Sequence, residues 1–246
     1  MIMRKLMAAG AVLLGMSTGV FAAGDVEQAI NASLKNVNAR LTATSIQEAP
    51  VAGLYEVELN NGDVVYATAS GEYFFTGPLL RYQDDKGLVN VTEQKFNENR
   101  KVKMSQLKQE DLVSYPPKGE VKAVVNVFTD VDCPYCRKLH DEVPKLNEMG
   151  IQVNYLAFPR QGYGSKAYHK MNAIWCGKPG ERVALMDKVK DGKDIDNASC
   201  DSPVMAQYAL GQQVGVTGTP AMVLEDGSLV PGYMPAERLV KMLDIN

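Results

Sequence analysis

The feature that most constrains the fold is a pair of cysteines, Cys133 and Cys136, placed where an apolar segment gives way to a helical pattern. Residues 121–128 form an almost continuous apolar run, which is typical of a strand buried on both faces. A second run of this kind occupies 151–158, and the residues between the two runs favour a helix. A strand, a helix and a second strand in this order predict a parallel β-α-β unit, with the cysteine pair at the start of its helix.

The start of a helix changes the chemistry of a cysteine that lies there. Its first backbone N–H groups lack partners within the helix and the helix dipole is positive there, so the pKa of Cys133 should fall below the ordinary value of about 8.5. Cys136 follows one turn later and can reach the Cys133 sulfur, while Pro134 suits the first helical position. The motif, with Pro134 and Tyr135 between the cysteines, predicts thiol–disulfide exchange in which Cys133 attacks and Cys136 resolves.

Two alternative interpretations of the cysteine pair are weaker. A zinc site needs four ligands, and no second close pair of ligands follows. The remaining candidates are Cys176, Cys200, His140 and His169. A structural disulfide within the motif would close a very small loop, and disulfide stabilisation increases with loop length. We therefore predict a redox-active pair without a metal or another cofactor, and no catalytic role for either histidine.

The N-terminus indicates that the chain leaves the cytosol. Residues 1–22 carry Arg4 and Lys5, then a short apolar stretch and small residues before Ala22, which is the layout of a secretory signal peptide. The stretch is shorter than the roughly 20 residues that span a membrane. We expect cleavage after Ala22 or Ala23 and a soluble mature protein.

The number of cysteines agrees with export, because four cysteines in an exported chain favour disulfides. Cys176 and Cys200 would close a loop of about 25 residues, for which chain entropy predicts roughly 3.5 kcal/mol of stabilisation. We expect a structural disulfide between them; a second catalytic or regulatory pair is the alternative. The formal net charge of −3 gives no reason to expect a nucleic-acid partner.

Periodicity predicts an N-terminal α+β domain at 23–84, a linker at 85–117 and a C-terminal domain at 118–246. The N-terminal elements are a helix at 25–37 and strands at 51–59, 64–68 and 73–76. A domain this small buries little core, so a partner chain should complete it. The polar segment 92–110 predicts a linker helix. In the C-terminal domain we expect helices at 133–149, within 165–214 and from Pro235, and short strands at 221–224 and 229–230.

A proline near the C-terminus is the second candidate part of the site. Pro220 cannot donate to a sheet ladder, so it must lie at a strand start or edge. If the bond before it is cis, the Thr219 backbone can pair with an extended peptide substrate; an ordinary trans turn is the alternative. Asp132, before the first cysteine, could tune the Cys133 pKa or cap the helix.

Several separated segments resemble the DsbC-type periplasmic disulfide isomerases. In the C-terminal domain they are FTDVDCPYCRKLH at 128–140, YLAFPRQG at 155–162, IWC at 174–176, SCD at 199–201, YALG at 208–211, VTGTPA at 216–221 and LVPGY at 229–233. In the N-terminal domain they are APVAGLY at 49–55 and TGPLL at 76–80. The resemblance covers nearly the whole mature chain.

This resemblance implies an α+β, V-shaped homodimer in the periplasm. Each chain would have a small cystatin-like N-terminal dimerisation domain, a linker helix and a C-terminal thioredoxin-like domain with a helical insertion. It also implies a cis bond before Pro220, attack by Cys133, and a Cys176–Cys200 bridge. The implied clients are misoxidised or unfolded secreted proteins, and a DsbD-like membrane protein would keep the pair reduced.

One dipeptide departs from the family pattern. Pro134-Tyr135 stands where the best-known DsbC proteins have Gly-Tyr, and it matches the sister DsbG proteins. This dipeptide helps to set the redox poise, so a DsbG-like reductase that rescues single oxidised cysteines is an alternative. A mainly holdase chaperone is another. We predict a disulfide isomerase with accompanying chaperone activity.

Overall fold

The computed structural model describes residues 23–178 and 180–245, and the predicted signal peptide, 1–22, lies outside them. The described residues form two compact units that divide between Gly77 and Pro78. Within the described ranges, no helix has the length and apolar character needed to cross a membrane.

The N-terminal unit is a helix packed on an antiparallel sheet. Its elements are α1 (Ala23–Val37), β1 (Ala43–Glu48), β2 (Leu54–Leu59), β3 (Val64–Thr68) and β4 (Phe74–Thr76). The sheet has the order β1-β2-β3-β4, which leaves β4 at one edge. Val26, Ile30 and Leu34 recur at four-residue spacing on α1, so they share one face and are buried against the sheet.

The second unit is built around a five-stranded mixed sheet. Its elements are β5 (Leu80–Gln83), β6 (Gly87–Asn90), α2 (Val91–Met104), β7 (Val113–Tyr115), β8 (Ala123–Thr129), α3 (Pro134–Asp141), α4 (Val143–Glu148), β9 (Ile151–Ala157), α5 (Lys166–Cys176), α6 (Arg182–Lys190), α7 (Val204–Gln213), β10 (Ala221–Val223), β11 (Leu229–Pro231) and α8 (Ala236–Met242). The strand order is β11-β10-β8-β9-β7, and β8 and β9 are parallel. This is the predicted β-α-β unit, and the predicted α+β class is confirmed.

Helices cover both faces of this sheet because its central strands are apolar on both faces. Val125 and Val127 of β8 belong to the larger core cluster, with side chains of α3, α4, α5, α6 and α8. Phe128, one residue further, belongs to a second cluster with Leu156 of β9 and Tyr208 of α7. Successive strand residues point to opposite faces, so the two clusters lie on opposite faces of the sheet.

The single helix predicted at 133–149 is wrong, because the structure has two. α3 ends at Asp141, and α4 begins at Val143. Pro144 has no N–H to donate to the carbonyl of His140, so one uninterrupted helix would lack a hydrogen bond at this point. The break keeps α3 short, with the cysteine motif occupying its first turn.

The polar helix α2 is anchored within the second unit by a buried arginine. The Nε of Arg100 donates to the carbonyl of Val214 at 2.9 Å, and its Nη1 pairs with Glu93 at 2.8 Å. Asn97 also donates to the Ser228 hydroxyl at 3.3 Å. Few side chains of α2 are buried, as its polar sequence predicts, and hydrogen bonds hold it in place.

Candidate active site

A tight turn after β8 positions the cysteine pair. The Asp130 side chain accepts from the backbone N–H of Asp132 at 2.8 Å, and the Cys133 N–H donates to the Asp130 carbonyl at 3.2 Å. Cys133 has extended backbone angles and forms the N-cap of α3, and Pro134 is the first helical residue. The turn therefore places the first cysteine at the positive end of the helix, as its sequence predicts.

Both cysteines of the motif are free thiols and both are almost completely buried. The backbone N–H groups of Cys136 and Arg137 donate to the Cys133 carbonyl at 3.1 Å each, which fixes the first turn of α3. Tyr135, between the two cysteines, is 63% exposed. The motif thus presents an exposed aromatic ring beside two buried sulfur atoms.

The loop before β10 brings Thr219 and Pro220 to the first cysteine. The Thr219–Pro220 bond is cis, and the Cys133 thiol donates to the Thr219 carbonyl at 3.2 Å. The Thr219 hydroxyl oxygen is buried and has no partner of ordinary hydrogen-bond geometry among the described residues. It nevertheless favours the ionised form of both thiols. All four residues of the motif and this dipeptide therefore form one site.

The two thiols of this site have different acidities. Burial raises the pKa of Cys133, but hydrogen bonding from Thr219 and Cys136 and the charge of Arg160 outweigh it, so this pKa is lowered. Burial raises the pKa of Cys136, and the Lys190 charge and hydrogen bonds only partly offset the effect. At a given pH a larger fraction of Cys133 than of Cys136 is therefore ionised, and Cys136 holds its proton more tightly.

Charged side chains surround the turn that carries the motif. Arg160 donates to the buried carboxylate of Asp130 at 3.2 Å. The Asp132 carboxylate pairs with Lys170 at 2.7 Å and lies 3.8 Å from Arg137. The suggestion that Asp132 caps α3 is wrong, because Cys133 is the N-cap and no side chain caps it.

Sequence reasoning missed the buried residue Lys190, at the end of α6. Its ammonium donates to the Thr129 hydroxyl at 2.7 Å and to the Asp130 carbonyl at 3.3 Å. Lys190 lies far along the chain from the cysteine motif and in a segment whose polar pattern resembles that of an exposed helix. Only the tertiary packing shows that it faces the site.

The other two cysteines form a disulfide away from the motif. Cys176, at the end of α5, is bonded to Cys200 with an S–S distance of 2.13 Å and a Cα–Cα distance of 5.7 Å. The zinc alternative thereby loses two of its candidate ligands. Of its two histidines, His169 is exposed. His140 is largely buried, with Nδ1 3.1 Å from the Tyr155 hydroxyl and Nε2 3.2 Å from Asp187.

Comparisons with known proteins agree with this geometry. The family model described as a thioredoxin-like domain matches residues 108–245, and the model described as the disulfide bond isomerase protein N-terminal domain matches residues 21–93. The catalytic domain of Proteus mirabilis ScsC, a solved structure, superposes with a TM-score of 0.50 at 19% identity. It covers 61% of this chain and 96% of that domain, and this likeness supports the fold alone.

Curated relatives extend the similarity over both units. The thiol:disulfide interchange protein DsbC of Escherichia coli K12 is 42% identical over 221 residues, which is 88% of this chain and 89% of that protein. DsbC of Dickeya dadantii is 39% identical, over 89% of each chain. With a free cysteine pair at the start of α3 and both family models matched, the chain belongs to the DsbC family of thiol:disulfide interchange proteins.

Proposed function

We propose that this disulfide isomerase works through Cys133 as the attacking thiolate and Cys136 as the resolving thiol. The observation that carries the proposal is the contact of the Cys133 sulfur with the Thr219 carbonyl, at the positive end of α3. The same surroundings lower the Cys133 pKa. A nucleophile whose pKa is lowered, beside a backbone segment able to hold a peptide, is what exchange with a protein disulfide requires.

The proposed cycle begins with the thiolate of Cys133 attacking a wrong disulfide in a client. One client sulfur bonds to Cys133, and the other leaves as a thiolate with the electron pair. A different client thiolate then attacks the client sulfur of the mixed disulfide, which releases Cys133 as a thiolate and leaves a rearranged disulfide. When no client thiolate arrives, Cys136 attacks Cys133, the client leaves reduced, and the enzyme is left oxidised.

Thr219 has two uses in this cycle. In the free protein its carbonyl accepts from the Cys133 thiol, so the S–H proton has a fixed partner. Once Cys133 is bonded to a client it has no S–H to donate, and the carbonyl becomes available to a client N–H. Backbone pairing of this kind holds an extended peptide without selecting its sequence. We therefore assign Thr219 and Pro220 to client binding.

Location and assembly follow from other parts of the chain. The signal-like residues 1–22 support export to the periplasm, where a DsbD-like membrane protein would return the pair to its reduced state. The matched N-terminal family model and two exposed rings, Tyr73 just before edge strand β4 and Phe75 within it, support a homodimer formed by the first unit. We propose that the dimer also binds unfolded chains as an accompanying chaperone activity.

The dipeptide Pro134-Tyr135 favours a second candidate, a DsbG-like reductase for single oxidised cysteines. Both activities begin with attack by the same thiolate, so they differ in client. An isomerase acts on scrambled disulfides, and the reductase acts on sulfenic acids in folded proteins.

The experiment that tests the proposal is the reactivation of a scrambled multi-disulfide client in a glutathione buffer. The mature protein should restore client activity, and Cys133→Ser should remove the gain. Cys136→Ser should keep part of it, because client thiols can still release Cys133. If the mature protein fails on the scrambled client but reduces a sulfenic acid in a folded protein, the reductase candidate replaces the isomerase.

A further inference from the structure

A buried lysine at the end of α6 contacts the turn that carries the cysteine pair and has no part in the proposed cycle. Lys190 is 4% exposed, and its ammonium is held by the Thr129 hydroxyl at 2.7 Å and the Asp130 carbonyl at 3.3 Å. It also lies 5.5 Å from the centre of the Tyr155 ring. The ammonium is therefore removed from water and held mainly by neutral groups.

The lysine lacks the partner that a buried cation normally has. Across residues 23–178 and 180–245, no carboxylate forms an ion pair with Lys190. The nearby carboxylate of Asp130 is engaged by Arg160 at 3.2 Å, and only the backbone of Asp130 reaches the lysine. Because an isolated buried charge is costly, the site favours either a neutral amine or an anion close by.

The anion that the reaction itself can supply is the thiolate of Cys136. Among the groups that act on Lys190, burial has the largest effect and lowers its pKa to about 8, and Cys136 is the strongest opposing charge. Conversely, Lys190 is the largest influence that opposes the effect of burial on the Cys136 pKa. The Thr129 hydroxyl, which accepts from Lys190 at 2.7 Å, also favours the ionised form of Cys136 and so lowers its pKa.

Other titratable groups also surround the lysine. They are Asp130 in the turn after β8, Cys133 at the N-cap of α3, Arg137 and His140 on α3, and Tyr155 on β9. Burial lowers the pKa of His140, and that of Tyr155 is raised well above its ordinary range, so both are neutral near pH 7. Arg137 repels Lys190, whereas Asp130 and Cys133 attract it.

We propose that Lys190 is a positioning residue for the resolving step, taking the proton of Cys136 through the Thr129 hydroxyl and holding the resulting thiolate as its counter-ion. This inference rests on the proposed roles of the two cysteines. The neutral amine of Lys190 gains the proton that the Cys136 thiol loses. The Cys136 thiolate then attacks Cys133, the Cys133–Cys136 bond forms, and the bond from Cys133 to the client breaks. The client leaves as a thiolate with the electron pair.

A mixed disulfide at Cys133 can be broken by a second client thiol or by Cys136, and Lys190 should affect only the second of these reactions. Rearrangement by a second client thiol does not use Cys136, whereas escape from a stalled mixed disulfide does. Loss of the lysine should therefore slow escape and leave the first attack by Cys133 largely unchanged.

The two steps can be separated with dithiobis-nitrobenzoate, an aromatic disulfide that releases a coloured thiol. One equivalent of this reagent per reduced chain gives a first release when Cys133 attacks. A second release follows when Cys136 closes the ring. In Lys190→Met, the second release at pH 7 should be slower by about tenfold or more, since a nearby opposite charge shifts a pKa by a unit or more. Its pH profile should move to higher pH, while the first release keeps its rate.

Lys188→Met is the matched control, because Lys188 is exposed on the same helix; it should leave both releases unchanged. Thr129→Val removes the bridging hydroxyl at constant shape and should slow the second release too, so it decides the matter if Lys190→Met does not fold. If the second release in Lys190→Met is unchanged, or is slower with an unshifted pH profile, the role given to Lys190 is wrong. The proposed roles of the two cysteines would still stand. Absence of the first release would instead overturn the proposed role of Cys133.

Discussion

At the scale of single residues, Cys133 and Cys136 show how neighbours decide the acidity of a buried thiol. Burial raises the pKa of each, and what differs is the set of groups that oppose it. Cys133 has the helix terminus, Thr219 and Arg160 around its sulfur. Cys136 lies deeper, where Lys190 is the main opposing group. The lower pKa therefore belongs to the residue that we propose as the attacking thiolate, and the higher one to the proposed resolving thiol.

We expect the Thr219 hydroxyl to lower the pKa of Cys133. In Thr219→Val we expect alkylation of Cys133 at pH 7 to slow roughly fivefold, because the hydroxyl has no other partner within the described part of the chain and can turn to the thiolate, to which a hydrogen bond contributes about 1 kcal/mol. The pH profile of alkylation should move to higher pH. Thr217→Val, an exposed change in the same loop, is the control. An unchanged profile in Thr219→Val would show that the hydroxyl does not act on the sulfur.

Lys190 should lower the stability of the fold. Its pKa of about 8, against the ordinary lysine value of 10.5, corresponds to a cost of about 3 kcal/mol at neutral pH. Lys190→Met should therefore raise the free energy of unfolding by about 2–4 kcal/mol at pH 7. The folded pKa is the depressed one, so the cost is complete below pH 8 and disappears as pH rises toward 10.5.

Urea unfolding at pH 7 and pH 9.5 measures this effect, with Lys188→Met as the reference. The gain from Lys190→Met should be smaller at the higher pH, because the wild-type amine is then neutral in the folded state. If Lys190→Met lowers the free energy of unfolding at pH 7, Lys190 stabilises the fold and its buried charge carries no net cost.

At the scale of elements, what the sequence could predict depended on burial. The strands β8 and β9 could be located because they are nearly continuous apolar runs, and the helix α1 because its apolar residues recur at helical spacing. β1, β5, β6 and β7 were missed, since they are short and mostly half-exposed and so lack a clear alternation. The polar sequence of α2 predicted an exposed helix. The burial of Arg100 could not be predicted, because its partner Val214 is distant in sequence.

The contact of α2 with the turn between β10 and β11 can be tested at Gly227. A Cβ there would lie 2.0 Å from the Asn97 carbonyl, and the residue has φ +84°. Gly227→Ala should lower the free energy of unfolding by about 3 kcal/mol, from overpacking and backbone strain together. Gly192→Ala has a similar φ of +79° with open space, so it should lose only about 1 kcal/mol. Equal losses in urea unfolding would mean that the α2 contact is not close.

At the scale of the whole molecule, the site combines segments that are distant in sequence. The cysteine motif could be assigned from its position between a strand and a helix, and Pro220 from the rule that proline cannot donate in a sheet. The residues alone left the isomer of the Thr219–Pro220 bond open; the family resemblance implied the cis bond that the structure shows. Lys190 and Thr129 could not be predicted at all, because their roles depend on how α6 packs beneath β8.

Assembly through the first unit should depend on the exposed edge strand β4. Phe75 is 52% exposed there, and a lysine on an edge strand discourages pairing with another strand. Phe75→Lys should shift the mature protein from dimer to monomer in sedimentation velocity and reduce its reactivation of a scrambled client. Val37→Lys, at an 82% exposed position of α1, should leave the dimer intact. A dimeric Phe75→Lys would place the interface elsewhere.

Trapping of mixed disulfides tests whether Cys133 attacks and Cys136 resolves. Cys136→Ser in an exporting cell should accumulate mixed disulfides with secreted proteins, and mass spectrometry of the adducts should locate each bond at Cys133. Cys133→Ser, carrying the same chemical change in the other cysteine, should trap far fewer. If Cys136→Ser traps no clients, or if the adducts of Cys133→Ser at Cys136 are the abundant ones, the assigned roles are contradicted.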